Sequence, residues 1–143
     1  MILLVEDNED DEALMILALR KGAIATRIVV ARTGEDAIVL LLGDDTQRVM
    51  APTLVLLDLN LPKIDGHEVL RRIRSDKRTR YLPVVVFTSS NEDKDVVASY
   101  ALGANSHVRK PVCFAEFVDA VRVLGPFWLD LNLVPPKHGA PRS

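Results

Sequence analysis

Five side chains that could take part in polar chemistry lie just after short strand-like segments of this sequence, most of them aliphatic. They are Glu6, Asp7, Asp58, Thr88 and Lys110. Carboxylates suit a hard divalent cation, whereas a hydroxyl and an ammonium suit the oxygens of a phosphoryl group. What these residues can do together depends on whether the fold brings them to one place.

The apolar runs predict five strands that alternate with helices. The strands are expected at Ile2–Val5, Ile28–Val30, Leu54–Leu57, Val84–Phe87 and near His107–Arg109. Uninterrupted aliphatic residues are typical of strands covered on both faces. Apolar residues at helical spacing follow each strand, and Thr33 is the expected N-cap of the second helix. This alternation predicts a three-layer α/β sandwich around a five-stranded, parallel sheet.

The predicted sheet would bring the five side chains together. Right-handed crossovers place the carboxyl ends of all strands on one edge, where ligands bind in open α/β sheets. Each pair of like charges about 4 Å apart costs roughly 4 kcal/mol at an effective dielectric near 20. One lysine cannot neutralise three carboxylates, so the pattern predicts a site for Mg²⁺ beside a phosphoryl group.

Four segments carry a resemblance to a known family. They are Val5–Asn8, Leu57–Gly66, Phe87–Ser89 and Val108–Pro111. In this order they resemble the signatures of response-regulator receiver domains, over roughly residues 1–124. The resemblance implies the doubly wound, flavodoxin-like strand order 2-1-3-4-5. It also implies a receiver domain at 1–124 and an extension at 125–143.

The resemblance assigns roles to the residues that carry it. Asp58 would accept a phosphoryl group from a sensor histidine kinase. Asp7 and Asp58 would bind Mg²⁺ directly, with Mn²⁺ as an alternative, while Glu6 would bind through water and Asn60 through its backbone carbonyl. Lys110 would pair with the acyl phosphate.

Three further expectations come from the same resemblance. Lys110–Pro111 would be a cis peptide bond. Thr88 would be the switch hydroxyl, which moves toward the phosphoryl oxygen. His107 stands where the family usually has a switch Tyr or Phe, and imidazole differs from these rings in being smaller and able to titrate.

The C-terminal extension contains an apolar, aromatic segment at 126–134, followed by a Pro-rich tail that is expected to be flexible. One helical face links five residues: Phe117, Val121, Leu124, Trp128 and Leu131. This segment either folds back onto its own domain or covers a partner. Pro126 either kinks the fifth helix or begins a new turn.

A narrower resemblance, to the single-domain regulators of phytochrome-type sensor kinases, favours the partner. It implies a homodimer through the fourth helix, fifth strand and fifth helix, extended by the aromatic tail. The interface residues would be Phe117, Val121, Phe127, Trp128 and Leu131.

Composition excludes several classes of function. The 143 residues include 18 basic and 20 acidic side chains, a net charge of −2 that gives no general attraction for nucleic acid. The basic cluster Arg71–Arg78 is expected to be a solvated helix face. No apolar run is long enough to cross a membrane, and the single cysteine fits a reducing cytoplasm. The 19 residues after Leu124 leave no room for an output domain, so we expect output by protein contact and no separate substrate.

Two alternatives remain open. A Mg²⁺-dependent phosphohydrolase could use Asp58 as nucleophile, although such enzymes need an acid two residues later, where this chain has Asn60. A receiver-shaped adaptor could also act without ever being phosphorylated.

Overall fold

The computed structural model describes residues 1–22, 26–43 and 49–135. The tail from residue 136 onward, predicted to be flexible, lies outside these ranges. The strands are β1 (Ile2–Val5), β2 (Ile28–Ala31), β3 (Leu54–Leu57), β4 (Val84–Thr88) and β5 (Ser106–Arg109). The helices are α1 (Glu9–Lys21), α2 (Gly34–Leu42), α3 (Gly66–Ser75), α4 (Asp93–Ala101) and α5 (Phe114–Pro126), and a π-helical segment (Phe127–Leu131) follows α5.

The five strands form one parallel sheet in the order β2-β1-β3-β4-β5. This confirms the predicted doubly wound architecture. Polar caps begin the first three helices: Asn8, Thr33 and Asp65 each accept a hydrogen bond from the backbone N–H three residues later. Within the described ranges, no helix has both the length and the apolar character needed to cross a bilayer.

Successive side chains of each central strand pack into two different hydrophobic cores, one on each face of the sheet, because side chains alternate across a sheet. On β1, Leu3 and Val5 pack with residues of α2 and α3, whereas Ile2 and Leu4 pack with residues of α1 and α5. Both faces of β1 are therefore fully covered. This arrangement explains why the strand segments read as continuous aliphatic runs.

The basic cluster predicted to be solvated contains one side chain with a structural role. Arg74 is half-buried, and its Nε donates to the Gly103 carbonyl at 2.9 Å. Its guanidinium also donates to the Leu82 carbonyl at 2.7 Å and to Asn105 Oδ1 at 3.0 Å. These acceptors lie just before β4 and β5, so Arg74 ties α3 to the amino-terminal edge of the sheet.

The chain remains α-helical through Pro126, and after that residue it continues as a wider, π-helical turn. Proline offers no N–H to the preceding turn, and the backbone N–H of Asn132 bonds the Phe127 carbonyl, five residues back, at 2.7 Å. Trp128, in this segment, is only 9% exposed and lies in the core shared by α1 and α5. Through Trp128, the segment Phe127–Leu131 therefore packs onto its own domain.

Candidate functional site

Backbone hydrogen bonds hold the acidic residues at the carboxyl edge of the sheet. The Glu6 N–H donates to the Ala31 carbonyl, and the Asp58 N–H donates to the Val5 carbonyl, both at 3.0 Å. These bonds continue the pairing of β1 with its two neighbours one residue beyond the strands. Residues distant in sequence therefore meet at this edge, as the parallel topology predicts.

Lys110 lies at the centre of the acidic residues. Its Nζ donates to Glu6 Oε2 at 2.5 Å, to Asp11 Oδ2 at 2.9 Å and to Asp58 Oδ2 at 3.1 Å. The side chains of Lys110 and Glu6 are only 7% and 3% exposed. Little water screens the contact between Lys110 and Glu6, whereas the Asp11 side chain is 33% exposed.

Glu6, Asp7 and Asp58 form a group that could hold a metal ion. Each offers a carboxylate oxygen, and these oxygens lie within 4.8 Å of one another. Two of the residues are buried, and Asp7 is exposed to solvent. A cluster of hard oxygen donors with one open side suits a divalent cation that keeps some of its water.

The site holds more negative charge than Lys110 can neutralise. Burial raises the pKa of Glu6 to about 7, and the charge of Asp58 adds to that rise. Burial opposes ionisation of Asp58 as well, but Lys110 and the hydroxyl of Thr88 outweigh it and lower the pKa of Asp58. The neighbouring carboxylates raise the pKa of Lys110 despite its burial. Without a metal ion, the site therefore favours an ionised Asp58 beside a Glu6 that retains its proton to a higher pH than an ordinary glutamate does.

Thr88 and Asn60 flank Asp58. Thr88 is fully buried at the end of β4, and its carbonyl accepts the Lys110 N–H at 2.7 Å. The Asn60 N–H donates to Asp58 Oδ1 at 3.2 Å. The structure thus places both residues beside Asp58, while metal binding by the Asn60 carbonyl stays a prediction.

The approach of α3 to the site requires a glycine. A Cβ on Gly66 would lie 2.3 Å from the Asp58 carbonyl oxygen and 2.7 Å from the Leu59 Cα. The Gly66 N–H donates to the Leu59 carbonyl at 3.0 Å. The loop after β3 is therefore packed directly against the first residue of α3.

His107, the expected partner of Thr88 in the switch, points into the fold. Its Nδ1 lies 3.1 Å from Ser99 Oγ on α4, and its Nε2 lies 3.2 Å from the Ser90 carbonyl. A carbonyl oxygen only accepts, so the second contact requires a proton on Nε2. His67 Nε2 lies 3.3 Å from the same Ser99 hydroxyl. The ring thus joins α4 to the loop after β4, and its role as a switch stays a prediction.

Sequence reasoning missed two residues of this region. Asp11 contacts Lys110, and its signal was its position three residues after the N-cap Asn8, in the first turn of α1 and close to the acidic edge. Ser99 joins two histidines from α3 and β5, and no local pattern distinguishes it from an ordinary helical serine.

The expected cis bond at Lys110–Pro111 is wrong. Among residues 1–22, 26–43 and 49–135, no peptide bond is cis. The trans form of an X–Pro bond is favoured by about 0.5–1 kcal/mol, and Lys110 reaches its three carboxylates with it.

Three of the predicted interface residues belong to the core instead. Phe117, Val121 and Trp128 are buried against the sheet and α1, so they are not available to a partner in this fold. Helical periodicity identified an apolar face correctly, but it could not tell which side of the helix the domain itself covers. Phe127 and Leu131 are exposed, and their role at an interface stays a prediction.

Comparison with known proteins supports this picture. The response regulator receiver domain family matches residues 2–122. The probable methanogenesis regulatory protein FilR2 of Methanothrix harundinacea is 38% identical over 135 residues, which cover 94% of this chain and 87% of that protein. Response regulator Rcp1 of Synechocystis sp. is 36% identical over 136 residues, covering 94% of this chain and 92% of Rcp1.

Solved structures agree with the sequence comparisons. The crystal structure of the Mn²⁺-bound form of Rcp1 superposes with a TM-score of 0.87 at 36% identity, covering 94% of this chain and 98% of that one. The phosphorylated cyanobacterial phytochrome response regulator RcpA gives a TM-score of 0.89 at 36% identity, covering 94% and 97%. With its sheet order and its acidic edge, this chain belongs to the response regulator receiver family.

Proposed function

We propose that Asp58 accepts a phosphoryl group from the phosphohistidine of a sensor histidine kinase. One observation carries the proposal: Lys110 Nζ contacts both Asp58 and Glu6, two buried carboxylates at the carboxyl edge of the sheet. Asp7, which is exposed, lies beside them. Despite burial, Lys110 and the hydroxyl of Thr88 lower the pKa of Asp58, which favours the ionised form that a nucleophile needs. RcpA, a relative of similar length, has been crystallised in a phosphorylated form.

In the proposed transfer, an Asp58 carboxylate oxygen forms a bond to phosphorus. The bond between phosphorus and the donor nitrogen breaks, and its electron pair stays on the imidazole of the donor. Lys110 can then redirect one of its N–H groups from the Asp58 carboxylate to a phosphoryl oxygen. The buried hydroxyl of Thr88 can donate a hydrogen bond to another phosphoryl oxygen. Attack of water on the phosphorus then breaks the bond to the Asp58 oxygen, releases inorganic phosphate and returns Asp58 to its carboxylate form. The phosphorylated donor is the one substrate of this cycle besides water.

Glu6, Asp7 and Asp58 would hold Mg²⁺ during this reaction, with Mn²⁺ as a substitute. Burial is the main cause of the raised pKa of Glu6, and the charge of Asp58 adds to it. A bound cation would offset both effects, because it stabilises ionised carboxylates. When bound, the ion supplies positive charge next to the incoming phosphoryl oxygens. Rcp1 has been crystallised with Mn²⁺.

The proposal is tested with acetyl phosphate as phosphoryl donor and Mg²⁺. Intact mass spectrometry should show one added phosphoryl group on the wild type and none on Asp58→Asn. Asp119→Asn, which changes an exposed carboxylate on α5, serves as the matched control and should be labelled normally. Omission of Mg²⁺, with a chelator present, should abolish labelling.

The two alternatives predict different results. A wild type that gains no mass under these conditions would favour an unphosphorylated adaptor. Steady turnover of p-nitrophenyl phosphate, lost in Asp58→Asn, would favour a phosphohydrolase. Asn60 argues against the latter, because an amide cannot protonate a leaving group as a carboxylic acid does.

We further propose that the donor kinase is of the phytochrome type and that the protein acts in the cytoplasm. The support is the similarity to RcpA along almost the whole chain. A short-time phosphotransfer assay should compare one bilin-binding kinase with several unrelated kinases. Transfer should be fastest from the bilin-binding kinase, and equal rates from all of them would contradict this assignment.

Finally, we propose a homodimer built on α4, β5, α5 and the segment after α5. Large apolar side chains are exposed there: Val97, Tyr100, Val123, Phe127 and Leu131. Sedimentation velocity should show the variant Phe127→Ser with Leu131→Ser shifting toward monomer. Val112→Ser, which alters an exposed residue before α5, is the control and should sediment like the wild type.

A further inference from the structure

Lys110 has one partner that lies outside the proposed metal cluster. Its Nζ donates to Asp11 Oδ2 at 2.9 Å, as short as a good charge-assisted hydrogen bond. The cluster that could hold an ion consists of Glu6, Asp7 and Asp58 and does not include Asp11. Asp11 is thus a fourth carboxylate at this edge, with a different set of contacts.

The start of α1 fixes the position of Asp11. The side-chain oxygen of Asn8, the N-cap, accepts the Asp11 N–H at 3.0 Å. Asp11 is therefore held in the first turn of α1, where its carboxylate also interacts favourably with the helix dipole. Its side chain is 33% exposed, against 7% for that of Lys110.

An ammonium group has three protons, and Lys110 uses them on three carboxylates. Two of those acceptors, Glu6 and Asp58, would turn toward a bound ion, and Asp58 would also become the acyl phosphate. Neither event changes Asp11. Of the three acceptors, Asp11 is therefore the one whose charge and position stay constant through the proposed cycle.

We propose that Asp11 is a positioning residue that anchors the Lys110 ammonium while the other two acceptors are withdrawn. This inference rests on the proposed phosphorylation of Asp58. A lysine stem has four rotatable bonds, so an ammonium without a fixed acceptor samples several positions. The anchor keeps Nζ beside the phosphoryl oxygens, at the point where charge develops during transfer.

The test compares Asp11→Asn with Asp10→Asn. Both changes remove one carboxylate from the first turn of α1, but Asp10 is exposed and Asp11 contacts Lys110. With acetyl phosphate and saturating Mg²⁺, Asp11→Asn should lower the initial rate of Asp58 labelling by about fivefold or more, as expected for loss of a charge-assisted bond. Asp10→Asn should change the rate by less than about twofold. Asp11→Glu, which keeps the charge, should restore part of the rate.

A second readout separates positioning from a structural effect on α1. In a Lys110→Ala background, Asp11→Asn should cause no further loss, because the group that it positions is gone. A loss of the same factor in both backgrounds would overturn the inference, as would a faster rate in Asp11→Asn.

A third readout needs neither metal nor phosphorylation. In the metal-free protein, acetic anhydride should modify Lys110 about threefold faster or more in Asp11→Asn than in Asp10→Asn, measured by peptide mass. Equal modification rates would overturn the anchoring role, whatever the labelling of Asp58. A wild type that is never labelled would instead overturn the proposed function, so the two failures are distinguishable.

Discussion

The Nδ1 of His107 lies 3.1 Å from the hydroxyl oxygen of Ser99, which is fully buried, so one side-chain contact ties the edge strand to α4. The other ring nitrogen faces the Ser90 carbonyl at 3.2 Å. The imidazole therefore links α4 to the loop that follows Thr88. An aromatic ring without polar atoms could fill the same space but could not make these two bonds.

This contact predicts a specific cost of Ser99→Ala. The substitution leaves nitrogens of His107 and His67 without the hydroxyl, so the free energy of unfolding in urea should fall by about 1–2 kcal/mol. Ser75→Ala is the matched control, since Ser75 also bonds the carbonyl four residues back but is exposed on α3. An equal cost for the two substitutions would show that the histidine contacts contribute nothing.

Glu6 predicts a pH dependence of the metal-free protein. Burial raises its pKa from 4.5 to about 7, so between these values the folded state retains a proton that the unfolded state has released. The free energy of unfolding should therefore decrease as the pH rises through this window, by up to about 3 kcal/mol. Urea unfolding with a chelator, at several values from pH 5 to 8, measures this slope.

Glu6→Gln should flatten that slope, because a glutamine does not titrate. Glu9→Gln, at an exposed position that begins α1, should leave it unchanged. If all three proteins lose stability equally between pH 5 and 7, another group is responsible.

The close packing around Gly66 predicts that no larger residue fits at this position. In Gly66→Ala, the new methyl group would meet the Asp58 carbonyl oxygen at 2.3 Å, so either α3 or the loop after β3 must move. We expect a loss of about 2–4 kcal/mol in unfolding free energy together with slower labelling of Asp58. Normal stability and labelling would mean that this close approach is not needed.

Trp128 predicts a loss of stability independent of any partner. Trp128→Ala would leave a cavity in the core formed with β1, α1 and α5, at a cost of about 3–4 kcal/mol in unfolding free energy. Leu131→Ala, in the same segment but 74% exposed, should cost little. Dilute protein should be used, so that dissociation of a dimer does not contribute. A Trp128→Ala variant as stable as Leu131→Ala would place the side chain outside the core.

The sheet and its acidic edge were predictable because each depends on local patterns with a topological consequence. Aliphatic runs identified β1 and β3, and parallel strands must bring their following residues, such as Glu6 and Asp58, to one edge. The contact of Asp11 with Lys110 was not predicted, since it depends on how α1 is oriented over the sheet. Trp128 was assigned to the wrong environment for a similar reason: an apolar helical face does not reveal what covers it.

Arg74 holds one end of this fold more rigidly than the other. Its guanidinium fastens the carbonyls of Leu82 and Gly103 at the end of the molecule opposite Lys110. Gly103 lies two residues beyond α4, and Ser99, near the same end of the helix, contacts His107 and His67, so that end is firmly held. Near the start of α4, Asp95 Oδ2 accepts a hydrogen bond from the Ser90 hydroxyl at 2.5 Å. A change at the acidic edge, such as phosphorylation of Asp58, should therefore rotate α4 about its end near Gly103. The displacement should be larger at Asp93 than at Ala101.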